Sequence, residues 1–130
     1  MSAPRRVLVV GAGGLSSPAL RLLATSGVEQ ITLIDDDSVD ESNLQRQTLY
    51  TDADVGASKI ERAERALRAL SSSLSMHAIE GRFLPGNAEQ LLAENDLVLE
   101  GADNLATKFL VADAARLCGV PAVQAGAVRW

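Results

Sequence analysis

Two polar stretches that follow predicted strands carry the side chains best suited to chemistry. The first, SVDESNLQRQTLY at residues 38–50, contains Asn43 and Arg46, and the second, EGADN, contains Asp103. Guanidinium, ammonium and amide groups bind phosphate oxygens, and a carboxylate can bind Mg²⁺ together with phosphates. Together with Lys59, this set indicates a site for a phosphorylated ligand.

A glycine-rich turn precedes both stretches. Gly11, Gly13 and Gly14 directly follow the apolar run RVLVV, which is typical of a buried strand. Glycines between a strand and a helix let backbone N–H groups approach an anion at the helix N-terminus. The dinucleotide pattern G-x-G-x-x-G would need glycine where this chain has Ser16. The position after the first strand predicts nucleotide binding, with a tight turn and close helix–strand packing as the alternative.

Asp35 ends the second predicted strand. A carboxylate about 20 residues past the glycine turn is placed to accept hydrogen bonds from both ribose hydroxyls. Asp36 and Asp37 are alternatives by proximity. The alternative interpretation is an acid in a solvated loop.

The remaining polar residues lie within reach of the same crevice. Asn43, Arg46 and Lys59 follow Asp35 within one crossover, so they can converge on phosphates at the carboxyl ends of the strands. A plain NAD domain does not need them, because it holds its pyrophosphate mainly on the glycine turn. Asp103 follows the fourth predicted strand, where it could bind Mg²⁺ or simply cap the next helix.

The elements that position these residues alternate between strand and helix. Short apolar runs predict strands, which are Arg6–Val10, Gln30–Ile34, Leu74–Ile79, Asp96–Leu99 and Pro121–Gln124. Helical spacing of apolar residues predicts four helices. The first begins at Leu15 and is ended by Gly27, and the others are Asp54–Leu70, 87–94 and Ala106–Leu117. This order predicts one α/β domain at residues 1–130, Rossmann-like and doubly wound, with a mostly parallel sheet. Because the chain stops just past a predicted buried strand, we expect the domain to be incomplete at its C-terminus.

The helical patterns also predict which side chains are buried. In the first helix the apolar stripe is Leu15, Ala19, Leu22 and Leu23, and in the second it is Ile60, Ala63, Leu67 and Leu70. Cys118 is expected to be a small packing residue, and His77 a structural or surface residue.

Composition limits the function classes. Apolar residues make up 47% of the 130 and aromatic residues 3%, which indicates an aliphatic core. The net charge of −5 argues against a nucleic-acid partner. No apolar run approaches the ~20 residues of a membrane span, and no signal peptide is recognisable, so the cytoplasm is the expected compartment.

Four motifs occur together in a characteristic order. They are VLVVGAGGLSSPAL, GVEQITLIDDDSVDESNLQRQTLY, DVGASKIERA and DLVLEGADNLATKFLVADAA. In these motifs the chain resembles the ThiF/MoeB/HesA family, prokaryotic relatives of ubiquitin-activating enzymes, and most of all the molybdopterin-synthase and thiamine sulfur-carrier adenylyltransferases. SNLQRQ followed by DVGxxK is the most specific part of the resemblance, which covers nearly the whole chain.

The resemblance implies a reaction, cofactors and a partner. The C-terminal Gly-Gly carboxylate of a small ubiquitin-fold sulfur carrier would attack the α-phosphate of ATP, giving an acyl-adenylate and pyrophosphate. ATP and Mg²⁺ are the implied cofactors, with Arg46, Lys59 and Asp103 catalytic and Asp103 binding Mg²⁺. The implied nucleotide-binding residues are Gly11, Gly13, Gly14, Asp35, Ser42, Asn43, Leu44, Gln45, Arg46, Lys59, Asp103 and Asn104.

The chain also departs from the family's pattern. Lys108 stands where an arginine is common, and Ala112 where an asparagine is common. The paired CxxC motifs that hold a structural zinc in full-length relatives are absent here, because Cys118 is the single cysteine. The resemblance implies a homodimer for a full-length protein, and we expect the 130-residue chain alone to be inactive.

Two other functions remain open from the sequence. One is an NAD(P)-binding Rossmann domain of an oxidoreductase, against which Ser16 and the Asn43, Arg46 and Lys59 set both argue. The other is a non-catalytic nucleotide-binding subunit. The sequence names neither the carrier protein nor the pathway.

Overall fold

A computed structural model describes residues 4–11, 16–35, 59–71, 73–101 and 105–124. In these ranges the strands are β1 (Arg6–Val10), β2 (Gln30–Asp35), β3 (Ser75–Glu80), β4 (Leu97–Glu100) and β5 (Ala122–Gln124). The helices are α1 (Ser16–Thr25), α2 (Lys59–Leu70), α3 (Pro85–Ala93) and α4 (Leu105–Cys118). Where both ends can be compared, the predicted bounds differ from these by at most two residues.

The strands form one sheet in the order β3-β2-β1-β4-β5. Every pairing between neighbours is parallel, and Val10 at the end of β1 lies between Ile34 of β2 and Glu100 of β4. β2 and β3 are added on one side of β1, and β4 and β5 on the other. The strand order therefore reverses between β1 and β4, which is the topological switch point of the sheet. The predicted Rossmann-like, doubly wound sheet is confirmed.

Side-chain alternation along the strands divides the core into two layers. Successive strand residues face opposite sides of a sheet, so Val7 and Val9 face one layer while Leu8 and Val10 face the other. The layer that packs on α1 and α2 consists of Val7, Val9, Leu20, Ala24, Ile31, Leu33, Ala63, Leu67, Leu74 and Met76. The layer that packs on α3 and α4 consists of Leu8, Val10, Ile34, Phe83, Ala88, Leu91, Leu92, Val98, Val111 and Ala115.

The stripe predicted for the first helix was partly wrong. Leu20 is fully buried and Ala24 nearly so, whereas Leu22 is 70% exposed. Residues 20 and 24 are four apart and share a helix face, but residue 22 lies about 200° around the axis from residue 20. Apolar residues of α1 therefore lie on the exposed side of the helix as well as on its buried face. In α2, Ala63 and Leu67 are buried as predicted, but Leu70 in the last turn is 43% exposed.

Two predictions of burial near residue 120 were also wrong. Strand β5 was expected to be buried, but all three of its residues are exposed and Val123 is 52% exposed. It pairs with β4 alone among the described strands and is an edge of the described sheet. Cys118 is exposed as well, because it is the last residue of α4 and the chain turns at Gly119. His77 on β3 is exposed, as expected of a surface residue.

Gly27 ends α1 as predicted. The helix stops at Thr25, and Gly27 has a φ of +94°, a left-handed conformation that side chains with a Cβ rarely adopt. The Ser26 N–H donates to the Leu23 carbonyl at 3.2 Å, which closes the last turn. The chain can then enter β2 at the amino edge of the sheet.

An ion pair joins β1 to β4 at that amino edge. The Arg6 guanidinium donates to Asp96 Oδ1 at 3.0 Å, and the backbone N–H groups of Arg5 and Arg6 donate to Asp96 Oδ2 at 3.2 and 3.0 Å. The hydrogen bond from the Arg6 side chain, followed by the backbone bonds, lowers the pKa of Asp96 from its ordinary value. The side-chain hydrogen bond to Asp96 and the negative charge of that carboxylate raise the pKa of Arg6.

Candidate functional site

The carboxyl ends of β1 and β2 bring two predicted nucleotide-binding residues side by side. The N–H of Gly11 donates to the Ile34 carbonyl at 2.9 Å, so Gly11 continues the β1 ladder to the residue before Asp35. Gly11 has a φ of +97°, which turns the chain away from the sheet at this point. Asp35 is the half-buried last residue of β2, so the glycine turn and the predicted ribose acid start from adjacent positions.

The N-terminus of α2 lies toward the same edge. At the other end of this helix, Leu70 and Ser71 line an open cleft together with Gly27 and Glu29, which lie at the amino edge of the sheet. Because α2 connects β2 to β3 and these two strands are parallel, the helix runs from the carboxyl side of the sheet back to the amino edge, and it begins at Lys59. The phosphate site was predicted at this same edge of the sheet.

Strand β4 contributes the other side of the crevice. The N–H of Gly101 donates to the Val10 carbonyl at 3.0 Å, so β1 and β4 stay paired up to their ends. The strand order reverses between β1 and β4, and ligands of doubly wound sheets bind in the crevice at such a switch point. Three residues separate Gly101 from the start of α4, and Asp103 is one of them.

A buried charged cluster lies at the end of β4, and the sequence did not predict it. Glu100 is fully buried, and Lys108 Nζ donates to Glu100 Oε1 and Oε2, at 3.1 Å to each. Gln124 Nε2 donates to Glu100 Oε2 at 3.3 Å and to the Lys108 carbonyl at 2.8 Å. The available signal was an acid at the end of an apolar strand, followed eight residues later by the lysine that departs from the family's pattern.

The other predicted site residues lie outside the described residues. These are Gly13, Gly14, Ser42, Asn43, Leu44, Gln45, Arg46, Asp103 and Asn104. Of Lys59, the structure describes its place as the first residue of α2. The roles assigned to all of them from the resemblance therefore remain predictions.

Mg²⁺ prefers hard oxygen ligands, which limits the side chains that could hold it. The described residues contain no group of three or more histidine, cysteine, aspartate or glutamate side chains that could hold a metal. The carboxylate of Glu100 is neutralised by Lys108. Asp103, which lies outside the described residues, would supply one hard oxygen ligand. A single carboxylate suits a Mg²⁺ that takes its remaining ligands from phosphates and water.

A comparison with family models decides the family of the chain. The model described as ThiF family matches residues 3–130. The chain belongs to the ThiF family. In this ThiF-family chain the carboxyl edge of the Rossmann-like sheet carries Gly11 and Asp35, which both belong to the motifs of the resemblance.

Curated relatives of this ThiF chain are longer than it is. It is 47% identical over 125 residues to a probable adenylyltransferase/sulfurtransferase, MoeZ, of Mycobacterium tuberculosis, covering 96% of this chain and 32% of the relative. It is 42% identical over 118 residues to the SAMP-activating enzyme E1 of Haloferax volcanii, covering 91% of this chain and 44% of the relative. The chain therefore spans less than half of either relative.

Solved structures show the same fold. The E. coli tRNA N6-threonylcarbamoyladenosine dehydratase TcdA in complex with AMP superposes with a TM-score of 0.88 at 28% identity, covering 92% of this chain and 49% of that one. TcdA in complex with ATP gives the same TM-score. E. coli MccB in complex with MccA has a TM-score of 0.87 at 30% identity, covering 96% of this chain and 37% of that one.

Proposed function

We propose that this ThiF chain binds ATP for the adenylylation of the C-terminal Gly-Gly carboxylate of a ubiquitin-like sulfur-carrier protein. The observation that carries the proposal is the pairing of Gly11 with the end of β2, which brings the first residue of the glycine-rich stretch next to Asp35 at the carboxyl edge of the sheet. Such an edge suits a nucleotide whose phosphates approach the turn and whose ribose approaches the acid.

The relatives support both the nucleotide and the reaction. MoeZ is named a probable adenylyltransferase/sulfurtransferase, and the Haloferax enzyme is named for activating SAMP. TcdA, whose fold the chain shares, has been solved with AMP and with ATP. The comparisons thus favour an adenine nucleotide as the ligand, in agreement with the resemblance of the motifs.

The chemistry is a displacement at phosphorus. A carboxylate oxygen of the carrier forms a bond to the α-phosphorus of ATP, and the bond from that phosphorus to the oxygen bridging to the β-phosphate breaks. The electron pair of that bond leaves with pyrophosphate, and the carrier keeps the adenylyl group as a mixed anhydride. Because the carrier supplies the attacking oxygen, the protein's part is to position the reactants and stabilise the charge.

The roles of individual residues follow from charge and position. Asp35 would accept hydrogen bonds from the ribose, and the glycine turn would donate N–H groups to phosphate. Asn43, Arg46 and Lys59 would bind phosphate oxygens, with Arg46 and Lys59 offsetting the negative charge that builds up on the leaving pyrophosphate. Asp103 would hold Mg²⁺, which when bound screens the charge of the phosphates.

The assembly and compartment are part of the same proposal. We expect a homodimer for a full-length protein that carries this chain, acting in the cytoplasm. In the described ranges, none of the helices is both long and apolar enough to cross a membrane. The pathway that the carrier serves, whether molybdenum cofactor, thiamine or another sulfur transfer, is not specified by the residues described.

ATP–pyrophosphate exchange tests the proposal. In a full-length protein carrying this chain, Arg46→Ala and Asp103→Ala should abolish carrier-dependent exchange, since each removes a group assigned to the phosphates or the metal. Circular dichroism should show that both variants keep the fold, and Arg116→Ala in the last turn of α4, where Arg116 is exposed, is the matched control. Near-normal exchange in both variants would contradict the site. The 130-residue chain alone is expected not to form a carrier adenylate.

A further inference from the structure

We propose that Glu80 is a specificity-determining residue, which accepts a hydrogen bond from the 6-amino group of the adenine of ATP at the carboxyl end of β3. This inference rests on the proposed function, because it starts from phosphates at Gly11 and a ribose at Asp35. None of the roles predicted from the motifs concerns the base of the nucleotide.

Three neighbouring strands end side by side at the proposed site. The Gly11 N–H donates to the Ile34 carbonyl, so Gly11 lies beside Asp35 at the ends of β1 and β2. Asp35 in turn pairs with Glu80 in the parallel ladder between β2 and β3. This ladder continues for one more bond, because the Gly81 N–H donates to the Asp35 carbonyl at 3.1 Å. The carboxyl edge therefore presents Gly11, Asp35 and Glu80 in that order, at the strand spacing of about 4.8 Å.

A nucleotide has its parts in the same linear order. The ribose links the phosphates to the base, so phosphates at Gly11 and a ribose at Asp35 leave the base on the far side of Asp35. In the sheet order β3-β2-β1-β4-β5, the strand on that side is β3. The base should therefore reach the residues at the end of β3.

The side chains of Asp35 and Glu80 lie on one face of the sheet. Side chains alternate along a strand, and Leu33 and Ala78, which are two residues earlier, both pack in the layer of α1 and α2. The helix that follows the glycine-rich stretch is α1, which covers this same face. The two carboxylates are therefore neighbours on the face to which the proposed nucleotide belongs.

This pair of acids suits the donor groups of adenosine. Two carboxylates at paired positions of adjacent strands repel each other, which disfavours the pair unless other groups offset the charge. Ionised carboxylates only accept hydrogen bonds, and the ribose hydroxyls and the 6-amino group donate them. Glu80 is exposed, and a Cβ added at Gly81 would meet no described atom within 4 Å. The end of β3 thus has room for a base.

The 6-amino group distinguishes ATP from ITP. The base of ITP has a keto oxygen at this position, which cannot donate to Glu80 and would bring its lone pairs against those of the carboxylate. A hydrogen bond to a charged group commonly changes affinity by about tenfold or more. Glu80 should therefore make the chain prefer ATP to ITP.

The experiment measures the dissociation constants of ATP and ITP, each with Mg²⁺, for the wild-type chain and Glu80→Gln by isothermal titration calorimetry. The readout is the ratio of the ITP constant to the ATP constant, because a loss of stability would lower both apparent affinities alike. Glutamine has the shape of glutamate, but its amide donates to a keto oxygen as readily as it accepts from an amino group. Because Glu80 is exposed, the variant should keep the fold while it loses the preference.

The neighbouring carboxylate provides a variant that separates base from ribose. Asp35→Asn should weaken ATP and ITP alike, because both nucleotides carry the same ribose. The preference for ATP over 2′-deoxy-ATP should fall in Asp35→Asn and persist in Glu80→Gln. Glu89→Gln, at an exposed position of α3, makes the same chemical change away from the carboxyl ends of the strands and should alter neither preference.

The wild-type chain is expected to bind ATP about tenfold more tightly than ITP, and Glu80→Gln to remove most of that difference. An unchanged ratio in Glu80→Gln overturns the inference, as does an equal change in Glu89→Gln or a wild-type chain that binds ATP and ITP equally. These results leave the proposed function intact. A loss of the ribose preference instead of the base preference in Glu80→Gln also overturns it, because Glu80 would then contact the ribose. A wild-type chain that binds no ATP overturns the proposed function and this inference with it.

Discussion

Lys108 Nζ lies 3.1 Å from each carboxylate oxygen of Glu100, and Glu100 is fully buried while Lys108 is 23% exposed. Replacing Lys108 by methionine should lower the free energy of unfolding by about 3 kcal/mol, because it leaves a buried carboxylate unpaired. Adding Glu100→Gln should recover most of the loss. Urea denaturation followed by circular dichroism measures both.

The exposed pair of α2 is the control for that prediction. Arg68 donates to Glu64 at 2.8 Å, but both side chains contact solvent. Arg68→Met should change the free energy of unfolding by no more than about 0.5 kcal/mol. An equal effect of Arg68→Met and Lys108→Met would show that the burial of Glu100 has no energetic consequence.

Two leucines of α1 test the corrected helix face. Leu20→Ala should destabilise the chain by about 3 kcal/mol, because Leu20 is fully buried against the sheet and its loss leaves a cavity. Leu22→Ala removes the same atoms from a side chain that is 70% exposed, and should change the free energy of unfolding by no more than about 0.5 kcal/mol. Chemical denaturation of both variants checks the orientation, and a larger loss for Leu22→Ala would contradict it.

Acid should weaken the ion pair at the amino edge. The hydrogen bond from Arg6 lowers the pKa of Asp96 in the folded chain below its value in the unfolded chain. The stabilisation is therefore fully present above the unfolded pKa and is lost as the pH falls through the lower, folded pKa. Wild type and Asp96→Asn should differ by a constant amount between about pH 5 and 7, and the difference should shrink below about pH 4.

Urea denaturation of both proteins across this pH range measures the difference. Salt should reduce it, since the Arg6 and Asp96 side chains contact solvent. A difference that grows on acidification would show that the Asp96 carboxylate does not stabilise the folded state in the way the geometry indicates.

Local signals were sufficient for the order of elements and for most of the core. The runs RVLVV and QITLI predict β1 and most of β2, because short apolar segments next to glycine turns suit buried parallel strands. Burial around α1 was harder to predict, since Leu20, Leu22 and Leu23 surround the helix and its pattern fits more than one face. The exposure of β5 depends on which elements cover an edge strand, which its own three residues do not specify.

The sequence predicted one part of the candidate site and missed another. The placement of Gly11 and Asp35 at adjacent strand ends follows from the βαβ pattern, and the structure confirms it. The cluster of Glu100, Lys108 and Gln124 could not be predicted, because it depends on the register of β4 against β5 and on the rotation of α4. Neither quantity is encoded in a local motif. The assignments of Arg46 and Asp103 rest on the resemblance.

The most direct measurement of the central claim is a calorimetric titration of the 130-residue chain with Mg·ATP and, separately, with NADH. We predict that Mg·ATP binds more tightly than NADH and that Arg46→Ala weakens Mg·ATP binding, because the polar set after β2 is assigned to a triphosphate. A preference for NADH, unchanged by Arg46→Ala, would contradict the account and indicate an oxidoreductase domain.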